Sequence, residues 1–108
     1  MGQKGEGPME ASENLGTRMM QENDRVRIWE HRVAPGETGP MHLHRRPYLS
    51  VVVQGASGDT IGPEGEVLDH FELTPGTVYW FGDESLPETH AFRNTGSGEM
   101  LIVTTELL

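Results

Sequence analysis

Turn residues cut the chain into short pieces at Pro35-Gly36, Gly62-Pro63, Gly65, Pro75-Gly76, Gly82-Asp83 and Gly96-Ser97-Gly98. Proline removes a backbone donor and glycine weakens regular structure, so no long helix survives such spacing. The pieces between the turns are rich in Val, Ile, Thr and aromatic residues, which suit a pleated, half-buried surface. Strands are expected over 26–34, 41–46, 48–54, 59–61, 67–73, 78–81, 88–94 and 100–107. About eight short strands with no helical body imply an all-β sandwich or barrel.

Residues 1–24 read differently. With Gly2, Gly5, Gly7, Pro8 and Gly16 and few apolar side chains, they cannot bury enough surface to offset the entropy of ordering. They are expected to form a flexible arm, with a short helix over 10–20 interrupted by Gly16, ahead of a barrel domain spanning 25–108. At 108 residues the chain supports one modest core. Its net charge of −9 repels phosphate backbones and anionic lipid, which argues against nucleic-acid and membrane partners. The absence of cysteine excludes disulfides, thiolate metal sites and cysteine nucleophiles. The start MGQKGEGPME has no apolar signal-peptide core, so a cytoplasmic location is expected.

The chemistry concentrates in GETGPMHLHRRPYLSVVVQG, Gly36 to Gly55. On a strand, side chains two apart share a face, so His42 and His44 project side by side. Neighbouring neutral imidazoles are good ligands for Fe, Ni, Zn or Cu. His90, on a late strand, can return beside them in a closed barrel. His31, on the Trp29 and Val33 face of its strand, and His70, beside Asp69, read as isolated histidines that hydrogen-bond or face solvent. If the His face is interior, Tyr48, Ser50, Val52 and Gln54 continue it, and Leu49, Val51 and Val53 form an apolar outer face. Such a face needs cover, so a homodimer is expected.

The residues from 25 to 108 resemble the cupin superfamily. The first cupin motif, G-x5-H-x-H-x3,4-E-x6-G, matches at Gly36, His42, His44 and Gly55, with Tyr48 where the Glu is expected. The second, G-x5-P-x-G-x2-H-x3-N, matches at Gly76 and at His90 with Asn94; the interval between them is three residues longer, and Pro87 takes the place of the second Gly. The resemblance implies a double-stranded β-helix, or jelly-roll, barrel with one divalent transition metal (Fe, Ni, Zn or Mn) inside its mouth. It carries over His42, His44 and His90 as ligands. The Glu ligand does not carry over, and Tyr48 is expected to hydrogen-bond substrate rather than bind metal, because a phenol has a pKa of about 10. Some cupin thiol dioxygenases use such a three-His iron site.

Two functions follow. One is a metal-dependent enzyme of oxygenase, isomerase or lyase type, with Tyr48 orienting substrate or moving a proton. The other is a binding or sensing module with a structural metal or none. Either takes a compact ligand, with Val52, Gln54, Tyr79, Phe81 and Phe92 as candidate pocket residues.

Overall fold

The computed structural model describes residues 11–108. Nine strands follow one another: β1 (Arg18–Glu22), β2 (Val26–Val33), β3 (His42–His44), β4 (Tyr48–Gln54), β5 (Ser57–Ile61), β6 (Val67–Glu72), β7 (Val78–Phe81), β8 (Glu88–Asn94) and β9 (Met100–Leu107). A single 3-10 turn, Asp83–Ser85, is the only helical piece among the described residues. All the strand pairings are antiparallel. They form a five-stranded sheet in the order β1-β2-β9-β4-β7 and a four-stranded sheet in the order β3-β8-β5-β6. The late strands β8 and β9 insert between early ones, and this produces the jelly-roll barrel.

The inner faces follow the two-residue period. Trp29, His31 and Val33 of β2 are buried, whereas Arg32 between them is exposed. Val33, Met100 and Ile102 form an apolar cluster against Phe71 and Phe92 of the other sheet. Each such fully buried side chain contributes about 1.5–3 kcal/mol over exposure. Met41, Ile61 and Ala91 form a second cluster. Buried Asn94 ties the end of β8 down by donating to the carbonyls of Val33 and Gly98, at 2.9 and 2.8 Å.

The expected arm is corrected from residue 12 onward; residues 1–10 lie outside the described residues. Ser12 bridges to β3, Leu15 is buried, and β1 pairs with β2 across the edge of the larger sheet. No helix forms over 11–20. Backbone pairing holds β1, with buried Leu15 before it and an Arg18–Glu30 ion pair at 2.9 Å across it. Every β1 side chain is exposed, so the sequence looks like an unstructured surface. Gly16 permits the contact, because a Cβ there would stand 2.6 Å from the Glu30 carbonyl oxygen.

Strand β4 keeps Tyr48, Ser50 and Val52 inside, as the alternation requires. Its pairing with β9 then shifts between Val52 and Gln54. That bulge breaks the alternation, and Gln54 is exposed with Val53. On the outer face Leu49 lies opposite Trp80 and Val51 opposite Val78. Val53, Val78 and Trp80 are 47%, 57% and 57% exposed, giving an apolar strip along this edge.

Candidate metal centre

Antiparallel pairing of β3 with β8 sets His42 opposite His90 and His44 opposite Glu88. Residues opposite one another share a face, so this short ladder presents three imidazoles and a carboxylate to the interior. Each of His42, His44 and His90 offers a nitrogen within 4.8 Å of the others'. Their ring centroids are 4.6–5.0 Å apart, and the Nε2 atoms of His44 and His90 are 3.2 Å apart.

The surrounding contacts fix which nitrogens face inward. His42 donates its Nδ1–H to the Pro40 carbonyl at 3.2 Å. His90 donates its Nδ1–H to Glu88 Oε2 at 3.0 Å. With the rings neutral, these bonds leave the lone pair on Nε2, the tautomer that ligating imidazoles need. His44 has no partner at Nδ1 among the described residues. Two imidazole nitrogens sharing one ion at about 2.0–2.1 Å, at angles of about 90–110°, stand about 2.8–3.4 Å apart. The His44–His90 separation of 3.2 Å fits that spacing.

Electrostatics favour a cation here. Burial, with neighbouring imidazoles, lowers His42 to about 3 and His44 to about 2, so both are neutral ligands at physiological pH. Burial raises Glu88, but its hydrogen bonds from His90 and Tyr48 outweigh burial and hold it below the usual value, so it is a carboxylate. The Tyr48 hydroxyl donates to Glu88 Oε1 at 3.0 Å, and its ring stacks on His44 at 3.8 Å. Burial and then the Glu88 charge push the phenol well above its ordinary value, which keeps it protonated. A neutral phenol turned toward Glu88 is a poor metal ligand and a good hydrogen-bonding one.

A cavity of about 320 Å³ opens onto the three histidines. Of the expected pocket residues, Val52, Tyr79, Phe81 and Phe92 line it, as does Tyr48. Gln54 does not, because the β4 bulge turns it outward. His70 is on the surface, paired with Asp59. Among the cavity residues absent from the expected site, His31 and Glu88 bear most on the cluster. His31, read as isolated, is buried and lines the cavity beside His42, at a centroid distance of 5.5 Å. Its place on the Trp29 and Val33 face was the available signal. Glu88 lines the cavity as well; its spacing of two from His90 on one strand was the signal there.

No family model matches the sequence, and no curated protein matches it. Solved structures do. A cupin domain from Bordetella pertussis aligns over 93% of this chain and 98% of its own, at 25% identity and a TM-score of 0.71. A cupin superfamily protein from Desulfitobacterium hafniense aligns over 93% and 84%, at 20% identity and a TM-score of 0.60. The polyketide cyclase RemF from Streptomyces resistomycificus aligns over 79% of this chain but only 56% of its own, at 21% identity and a TM-score of 0.57. With two antiparallel sheets wound into a double-stranded β-helix and such neighbours, this chain is a small protein of the cupin superfamily.

Proposed function

We propose that the protein binds one divalent transition metal through His42, His44 and His90 and acts on a compact, partly apolar organic molecule. The observation that carries this reading is the three-imidazole cluster, with two tautomers fixed by Pro40 and Glu88 so that lone pairs face inward. Fe, Ni, Zn or Mn at these nitrogens supplies Lewis-acid chemistry or, if redox-active, electron exchange with dioxygen. The chain's residues do the rest. Glu88 orients His90 and accepts from Tyr48, while Tyr48, stacked on His44, brings a proton-bearing hydroxyl to the cavity. Val52, Phe81 and Phe92 exclude water and favour a ligand with apolar surface.

The rival reading is a cytoplasmic binding or sensing module. The observation that favours it is the Tyr48 hydroxyl, whose proton is already committed to Glu88. Anaerobic loading with Fe(II), followed by oxygen uptake against small thiols, phenols and carboxylic acids, separates the two. Substrate-dependent uptake abolished by His44→Ala supports an oxygenase. Tight binding without turnover under any metal supports the module.

A homodimer is the assembly we propose. Strand β7 ends the larger sheet and carries exposed Val78 and Trp80 beside Leu49 and Val51. A two-fold axis beside this edge lets the same strip of a second copy cover it. Sedimentation should show a dimer that Trp80→Glu converts to monomer; a monomeric wild-type protein contradicts it.

A further inference from the structure

We propose that His31 is the hydrogen-bonding anchor of the cavity, and that it selects a neutral one- or two-ring aromatic ligand bearing a hydroxyl or carbonyl oxygen. This rests on the cavity assigned under the proposed function, and not on its metal.

His31 is 2% exposed and lines the cavity, yet neither ring nitrogen has a hydrogen-bond partner among the described residues. Leaving a buried polar group unmet costs about 1–3 kcal/mol, so the group that fills the cavity gains by meeting it. Its ring neighbours cannot do so: His42 and Phe92 stand edge to face at 5.5 and 5.9 Å. Nor does His31 belong to the ligand cluster, which comprises His42, His44 and His90. Gly39 lies along the Nε2 and Cε1 edge of the ring, where an added Cβ would come 3.2 Å from Nε2. A neutral imidazole offers one donor and one acceptor, which suits a hydroxyl or a carbonyl.

The walls set the rest of the ligand. Tyr48 and Phe81 stack with centroids 4.8 Å apart and planes 21° from parallel, and Tyr79 continues the series on Phe81 at 22°. Stacked between His44 and Phe81, Tyr48 turns its edge to the cavity, and such a wall favours a flat ring met edge to face. Among the described residues no Lys or Arg lines the cavity, whereas the acidic Asp69 and Glu88 do, so an anion gains no partner from these side chains. At about 320 Å³ the space lies at the small end of the roughly 300–1,000 Å³ range of ligand pockets.

The test is fluorescence titration of the full chain with 2-naphthol, naphthalene and 2-naphthoate at pH 7.5, after EDTA treatment and again with zinc. In the metal-free chain 2-naphthol should bind about tenfold more tightly than naphthalene, the factor expected of one hydrogen bond to a buried partner. Naphthoate should bind most weakly. His31→Leu should lower 2-naphthol to the naphthalene level and leave naphthalene within about twofold, while His31→Gln, which retains a donor and an acceptor, should keep part of the preference. Equal binding of 2-naphthol and naphthalene, tightest binding of naphthoate, a preference that survives His31→Leu, or no binding of any probe overturns the proposal. Loss of zinc from folded His31→Leu also overturns it, by assigning His31 to the metal centre. If the Leu variant does not fold, the wild-type ranking and His31→Gln decide. The metal-free arm reads the anchor even if the chain binds no metal at all.

Discussion

Two side-chain clusters border the cavity, and they are built on opposite principles. At one, Val33, Met100 and Ile102 pack together with Phe71 and Phe92. At the other, His42, His44 and His90 turn nitrogens toward a common point, and only two of the three rings have their outer nitrogen bonded. The first is held by apolar packing within the chain, whereas the second, on the proposed reading, is completed by a metal. Stability and metal affinity should therefore respond to different residues.

The largest expected separation is in metal content. Tag-free protein should hold near-stoichiometric metal, and His42→Ala or His90→Ala should each lose nearly all of it by elemental analysis. Without metal, the same variants should melt no lower than the metal-free parent, because each removes a buried imidazole that borders an open cavity. Full metal content in both variants erases the distinction between the two clusters.

The reverse substitution sharpens it. Met100→Ala or Ile102→Ala should cost about 2–5 kcal/mol in urea unfolding, as expected for emptying a packed core. Metal bound per folded molecule should stay unchanged. A smaller effect is expected at Glu88, which bonds His90 and stands outside the three-nitrogen cluster. Glu88→Gln should weaken zinc binding by about 10–100-fold in competition with a chelator, the range expected for an outer-shell partner. An unchanged affinity would place Glu88 outside the centre.

Acid should act on the polar cluster. Burial lowers His31, His42 and His44 to about 4, 3 and 2, from 6.5 in an unfolded chain. Below 6.5 the unfolded chain takes up protons that the folded chain refuses, so stability falls as pH drops toward those values. Glu88 acts in the same direction, because its lowered folded value means that its contribution is lost as pH falls below 4.5. Tyr48, Asp69 and Tyr79 are the other titratable groups that line the cavity with the histidines and Glu88. The melting temperature of the metal-free protein should decline from about pH 6.5 downward; a rise on acidification would contradict this account.

How much of this the sequence revealed depended on whether a feature was local. Strands 48–54, 78–81, 88–94 and 100–107 were legible to the residue, because turn residues bound them and Val, Phe and Tyr fill them. The His42 and His44 pair was legible from strand parity alone. Strand β1 was not, since its exposed side chains carry no pattern and its pairing lies in the backbone. Gln54 was misplaced because a bulge is a property of two paired strands, which one strand's alternation does not record. Glu88 enters the site through the register that sets it opposite His44, and His31 through the proximity of β2 to that ladder. Both relations join residues far apart in the chain.

The central claim is that three imidazoles from β3 and β8 form one metal centre. Anomalous diffraction from a zinc-loaded crystal at the zinc edge tests it most directly. The account predicts a single strong peak about 2.0–2.1 Å from Nε2 of His42, His44 and His90 together. Zinc bound elsewhere, or a peak that touches fewer than these three rings, would contradict it.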